Sequence, residues 1–322
     1  MKKFIIITSI YEPTEAVVAF SKISDWQLVI VGDKKTPENW HLENVIYLSP
    51  EKQQKIASNF SEAIPWNHYS RKMIGYIYAM KNGADIIADT DDDNIPKENW
   101  GENIEFSHEG VVAQNDDFMN IYKVFTKQKI WPRGYPLRKI LNEKPVDFSN
   151  EFSNVGIWQQ LADGDTDVDA IYRLTNNSEV TFDNKKTIAL KEGTICPFNS
   201  QNTFFKKELF PLLYLPAFVT FRFTDILRGL VAQPILWNHG YRLGFSSPTV
   251  VQKRNEHDYL KDFESEIPMY INTEKANKIL QASINKQGSI KENLANAYNE
   301  LAKNKIVPDE ECLLLSEWLR NF

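Results

Sequence analysis

Asp91-Asp92-Asp93 follows the apolar run Ile86-Ile87-Ala88 and precedes Asn94-Ile95-Pro96. Side chains alternate along extended chain, so Asp91 and Asp93 can converge while Asp92 turns aside. Carboxylates crowded at one strand end repel each other unless a cation joins them. Hard divalent ions such as Mn2+ or Mg2+ take oxygen ligands of this kind and bridge to phosphate oxygens. The alternative is a solvated acidic turn before a proline; the buried-type strand in front favours the metal. Asp163, Asp165, Asp167 and Asp169 alternate like the front of an EF-hand loop. Val168 and Leu174 fill the positions that need Gly and Glu, which excludes calcium there. Neither G-x-G-x-x-G nor G-x-x-x-x-G-K-[ST] occurs, so a phosphate group would be held by metal and basic side chains.

The elements that must position these residues alternate in period. Phe4–Ile10 is a continuous β-branched run, as expected for a strand covered on both faces. Leu28–Val31, Val45–Leu48 and Ile86–Ala88 are further strands. Helices are expected from Pro13-Thr14-Glu15, from Ser49-Pro50-Glu51, and over Ser70–Asn82 up to Gly83. Strand and helix in alternation predict a doubly wound, mostly parallel sheet, with ligands beyond the carboxyl ends of its strands. Asp33 and the acidic tip both fall at such ends. From 101 to 248 short strands and loops are expected around one strong helix, Thr224–Asn238. Glu274–Ile284, Ile290–Lys303 and Asp309–Trp318 read as a helical C-terminal appendage. The expected division is 1–268 (1–100 nucleotide-binding half, 101–268 acceptor half) and 269–322.

The chain has 322 residues, enough for about two domains. With 37 Lys and Arg against 43 Asp and Glu the net charge is −6, which argues against a nucleic-acid partner. Two cysteines, Cys196 and Cys312, exclude a disulfide framework and read as buried small hydrophobes. Thr8-Ser9 and Glu12-Pro13 interrupt the N-terminal apolar run, so no signal peptide is read there. No stretch approaches about 18 apolar residues, so no membrane span is expected.

Gly32-Asp33-Lys34-Lys35-Thr36-Pro37, the stretch from Gly75 to Pro96, Asn154-Val155-Gly156-Ile157-Trp158, Gly164-Asp165-Thr166-Asp167-Val168-Asp169-Ala170 and Phe221–Gly229 with Ala232-Gln233 together resemble the plant STELLO glycosyltransferase family. These segments span most of residues 5–270. The resemblance implies a GT-A fold, Rossmann-like, and a metal-dependent transfer from a nucleoside-diphosphate sugar, expected to be UDP-linked. The receiving group is a hydroxyl on a glycan, a lipid-linked sugar or another acceptor. The plant members are membrane-anchored Golgi proteins; no anchor is read here, and a cytoplasmic location is expected. A second, weaker similarity lies in Trp131-Pro132-Arg133-Gly134-Tyr135-Pro136 followed by Gly156-Ile157-Trp158. It resembles the reversibly glycosylated polypeptide family, which includes UDP-arabinopyranose mutases, and implies self-glycosylation at Arg133.

On this resemblance, Asp91 and Asp93 hold Mn2+ or Mg2+, with His257 as a further ligand. Asp33 takes the place of an acid facing uracil, or is a turn residue. Thr8 and Ser9 offer hydroxyls to the nucleotide, or end a strand. Arg71 and Lys72 stand at a helix start, where a cation is disfavoured unless an anion faces it; the diphosphate is the expected anion. Arg222, Asp225 and Arg228, spaced i, i+3, i+6, are either an internal salt-bridge set or an acceptor-side base, Asp225, between anion-binding arginines. Asp165 or Asp167 binds the acceptor sugar or caps a helix. Two other readings stay open: a UDP-sugar mutase acting through Arg133, and a non-catalytic interaction scaffold docking through its C-terminal helices.

Overall fold

The computed structural model describes residues 1–176, 178–185, 187–253 and 258–322. Its first part runs β1 (Lys3–Thr8), α1 (Glu15–Phe20), β2 (Gln27–Val31), β3 (Val45–Leu48), α2 (Pro50–Ile56), α3 (Ser58–Ala63), α4 (Lys72–Lys81) and β4 (Ile86–Thr90). The second runs β5 (Asn94–Pro96), β6 (Ser107–Gln114), α5 (Tyr122–Phe125), β7 (Asp147–Gly164), α6 (Ala170–Thr175), β8 (Ile188–Leu190), β9 (Asn202–Lys206), α7 (Thr224–Asn238) and β10 (Arg242–Gln252). Three helices follow, α8 (Tyr259–Ser283), α9 (Ile290–Lys303) and α10 (Asp309–Leu319).

The sheet order is β3-β2-β1-β4-β9-β7-β6-β8-β10-β5. The first four strands are parallel, with Ile5 opposite Leu28 and Ala88. Beyond β4 the sheet is mixed: β9 joins antiparallel to β4 and β7, and β10 lies parallel to β7. The long β7 departs from the short strands expected in the middle of the chain. Its first half pairs with β6 and its second half with β9 and β10. A strand shared between partners shows no local break in sequence, because pairing is decided by distant strands.

Side-chain caps account for half of these helix starts. The Thr14 side chain accepts from the Val17 amide, and Ser49 caps α2 with Pro50 in the first turn. Ser289 and Glu292 form a capping box at α9. Apolar side chains pack on both sheet faces. Met73, Ile77, Leu227, Leu230 and Trp318 belong to the larger core, which includes the C-terminal helices; Ile5, Val17, Trp26 and Trp100 belong to the other.

α8 starts at Tyr259 and runs without a break through residues 268–269, where the sequence suggests a boundary. Pro268 sits inside it, so one i→i−4 bond is missing. Buried Glu266 and Met269 on either side hold the helix by tertiary contacts that a propensity reading does not see.

α7 lies close against the loop before β9. A Cβ placed on Gly229 would stand 2.4 Å from the Phe198 carbonyl oxygen. Backbone yields less readily than a side chain, so Gly229→Ala is expected to cost about 1–3 kcal/mol. A urea titration showing wild-type stability would overturn this reading of the contact.

Candidate functional site

A cleft of about 330 Å3 opens at the carboxyl ends of β1, β2 and β4. Thr8 and Ser9 line it from β1, Asp33 from the end of β2, and Asp91, Asp92 and Asp93 from the end of β4. Arg133, Phe221, Arg222 and Asp225 form the opposite wall. These residues come from both parts of the chain, and the sheet brings them to one place.

The acidic tip is built differently from the simple alternation. Asp92 does not turn aside: it lines the cleft, and its Oδ2 accepts from Ser9 Oγ at 2.5 Å. Thr14 Oγ1 donates to the Asp92 carbonyl at 2.5 Å, so the tip is pinned to the start of α1. Asp93 Oδ2 accepts from Gln252 Nε2 at 3.0 Å. Asp91 Oδ1 accepts from Lys72 Nζ at 2.7 Å. Desolvation pushes Asp91 up to about 6; Asp93 and Asp89 add repulsion, and Lys72 opposes it. Desolvation also raises Asp92 to about 6, with the Ser9 bond opposing and Asp91 adding. Three oxygen-bearing side chains share one cleft, and two are held unfavourably as anions. That donor set suits a hard divalent cation. Among the described residues no group of three or more His, Cys, Asp or Glu is arranged around a metal position. His257 lies outside the described residues.

Arg71 and Lys72 do not face the cleft. Arg71 is fully buried and donates to Gln53 Oε1, the Ser61 hydroxyl and the carbonyls of Ser61 and Ile64, with Trp66 stacked at 3.4 Å. It ties α2 and α3 to the loop before α4. Lys72 is also fully buried, 2.9 Å from Asp89 and 2.7 Å from Asp91. The helix-start argument rightly demanded an anion, but the protein supplies its own. Arg228 is likewise buried, with Nη1 2.6 Å from Asp89. It is an internal salt-bridge member rather than a contact for a bound anion.

Asp33 lines the cleft while accepting from the Lys34 amide at 2.6 Å and the Asn67 amide at 2.8 Å. It fastens the 66–68 loop to the end of β2 and keeps its carboxylate at the cleft. Beside it, desolvation lowers His68 to about 4 against the pull of Asp33, so the imidazole is neutral at pH 7.

Asp225 lines the cleft but is not an open base. Its Oδ1 accepts from Arg133 Nη1 and Nη2 at 3.0 Å and from the Ile226 amide at 3.0 Å. Its Oδ2 accepts from Arg133 Nη2 at 2.8 Å and the Ser200 amide at 3.3 Å. Little lone-pair capacity is left for a substrate hydroxyl. Asp225 is instead a fixed counter-ion of Arg133. The same guanidinium forks onto Asp167, with Nε–Oδ1 at 2.7 Å and Nη2–Oδ2 at 2.9 Å. It also donates through Nη1 to the Arg222 carbonyl. Burial works against this cation, but Asp167 and Asp225 outweigh it and hold Arg133 well above the usual arginine range.

Of the four alternating aspartates, only Asp167 joins the site. The cap of α6 is Asp169, not Asp165 or Asp167; its Oδ1 accepts from the Tyr172 amide at 2.9 Å. Asp163 pairs with Lys97 and Asp165 with Arg173. Glu266 and Asn199 carry no sequence signal, yet both brace the site. Glu266 holds Arg222, and Asn199 donates to Asp167 at 2.6 Å.

Residues 222–322 match the STELLO glycosyltransferases. The chain is 29% identical over 305 residues to "Probable glycosyltransferase STELLO2" of Arabidopsis thaliana, covering 87% of this chain and 39% of the relative. It is 26% identical to "Probable glycosyltransferase STELLO1" of the same plant over 99% of this chain and 44% of the relative. The chain thus spans about two fifths of the length of these curated relatives. Glucosyl-3-phosphoglycerate synthase from Mycobacterium tuberculosis, solved with Mn2+ and uridine-diphosphate-glucose, covers 89% of this chain and 81% of its own at 11% identity and a TM-score of 0.42. Among the described residues no helix is long and apolar enough to cross a membrane. With its family-model match at residues 222–322 and its two curated matches reaching over 87% and 99% of the chain, as its motifs led one to expect, this protein is similar to the STELLO glycosyltransferases.

Proposed function

We propose that the chain is a metal-dependent glycosyltransferase of GT-A type that takes a sugar from a nucleoside diphosphate, UDP in first place, to a hydroxyl acceptor. The observation that carries this reading is the acidic tip. Asp91, Asp92 and Asp93 share one cleft with Thr8, Ser9 and Asp33 on one side and Arg222 on the other. Asp91 and Asp93 are the residues that would hold Mn2+ or Mg2+. A divalent cation bound there would neutralise charge on the diphosphate. Ser9 and Thr14 keep the tip in place by holding Asp92. Lys72 orients Asp91 from below, and Asp33 presents its carboxylate where a base edge can donate to it. Arg222 adds positive charge on the side where the nucleoside diphosphate would depart.

The test is thermal stabilisation by a panel of UDP, GDP and ADP compounds with and without Mn2+. A ligand at 100 times its Kd stabilises by about 2.7 kcal/mol. UDP compounds are expected to raise the melting temperature only when Mn2+ is present. A flat response to every nucleotide in Mn2+ would sink the proposal and leave the scaffold reading ahead.

A further inference from the structure

Arg222 is the middle residue of a short 3-10 turn, Phe221–Phe223, on the wall of the cleft. Its guanidinium is held from behind by α8. Glu266 Oε1 accepts from Arg222 Nε at 2.9 Å and lies 2.8 Å from Nη2. Ser265 Oγ, one residue earlier on the same helix, accepts from the Arg222 amide at 3.4 Å. Glu266 is completely buried, and its second oxygen accepts from the Ala170 amide at 2.7 Å and the Tyr270 hydroxyl at 2.5 Å. One carboxylate therefore links α8, the start of α6 and a cation that lines the cleft. A buried carboxylate is tolerated only when paired and hydrogen-bonded, and Arg222 supplies the charge. The pairing uses the Nε and Nη2 edge of the guanidinium. Nη1 lies outside that pairing, which leaves its N–H groups for a ligand in the cleft that Arg222 lines.

We propose that Glu266 is a positioning residue for nucleotide binding, setting the Arg222 guanidinium so that its Nη1 edge meets the diphosphate. The proposal rests on the nucleoside-diphosphate reading of the cleft. It makes the C-terminal helix a working part of the site. Arginine suits this place because its planar fork can pair with Glu266 on one edge and an anion on the other, which a lysine ammonium does not do.

The experiment is calorimetric titration of the full chain with UDP in Mn2+. Arg222→Ala is expected to weaken UDP about tenfold, and Glu266→Gln about three- to tenfold, since the amide cannot serve Arg222, Ala170 and Tyr270 together. If Glu266 acts through Arg222, the double variant binds no more weakly than Arg222→Ala alone. Wild-type affinity in Glu266→Gln, or losses that multiply in the double variant, overturn the proposal. Should Glu266→Gln fail to fold, Arg222→Lys decides: it keeps the charge but lacks the fork, and wild-type affinity in that variant overturns the proposal. Side-chain nitrogen NMR separates this outcome from failure of the parent reading. If wild type binds no UDP, the nucleotide reading falls and this proposal with it. The Arg222 Nε–H signal, protected in wild type and exchanging in Glu266→Gln, then reports only that Glu266 holds Arg222.

Discussion

Replacing Asp91 and Asp93 together by asparagine is expected to weaken Mn2+-dependent UDP binding by at least 100-fold, about 2.7 kcal/mol. Asparagine keeps the size of each side chain. At 91 its amide oxygen can still accept from Lys72 Nζ, and at 93 from Gln252 Nε2, so these two bonds can persist. The charge is what disappears, and a hard divalent ion depends on charged oxygen ligands. The fold should survive. Desolvation already raises Asp91 to about 6, so its carboxylate is disfavoured in the folded chain at neutral pH. A group whose folded pKa is raised in this way favours the folded state less as pH rises from about 4 to 6. At pH 7.5 the single variant Asp91→Asn should therefore melt at or above the wild-type temperature in the absence of metal. Isothermal titration with and without Mn2+ reads the binding, and circular dichroism reads the melt. Unchanged Mn2+-dependent UDP binding in the double variant would show the metal assignment to be wrong.

Arg133→Met is expected to carry the largest stability loss, about 3–5 kcal/mol. Methionine fills similar space, so the loss reports charge rather than a cavity. Arg133 is 5% exposed and sits between Asp167 and Asp225, themselves almost as buried. Removing the cation leaves two carboxylates in a poorly hydrated wall with less compensation. Asn199 still donates to Asp167, and the Ser200 and Ile226 amides still donate to Asp225, which keeps the cost finite. Arg133→Lys should lose about half as much, because an ammonium restores charge but not the two forks. Urea denaturation measures all three proteins, and a loss under about 1 kcal/mol for Arg133→Met would overturn the clamp. The same geometry bears on the mutase reading. Arg133 lines the cleft, but its Nε, Nη1 and Nη2 are all engaged by Asp167, Asp225 and the Arg222 carbonyl. A sugar on any of these nitrogens would break the clamp. Peptide mass mapping after incubation with UDP-sugars is expected to find Arg133 unmodified; a hexose or pentose there would favour the mutase.

Much of the site was legible from one strand end. An apolar run that stops at Asp91-Asp92-Asp93 places carboxylates beyond a buried strand, and the structure puts them in the cleft. The same logic placed Thr8, Ser9 and Asp33. It failed for Arg71, Lys72 and Arg228, where residue type and spacing could not say which way the side chain turns. Lys72 at the first turn of α4 needed an anion; whether that anion was substrate or Asp89 depended on how α4 lies on the sheet.

The net charge of −6, read from the sequence, supported only the expectation of no nucleic-acid partner and left the acids unassigned. Local order was determined by the sequence itself: caps at Thr14, Ser49 and Ser289, strand runs, and the acidic tip all act within a few residues. The charge pairing was decided by the tertiary structure. Arg133 meets Asp225 across 92 residues, and Arg222 meets Glu266 across 44. A buried charge is stable only with a partner, and that partner is chosen by which elements pack together, something no short stretch of sequence records.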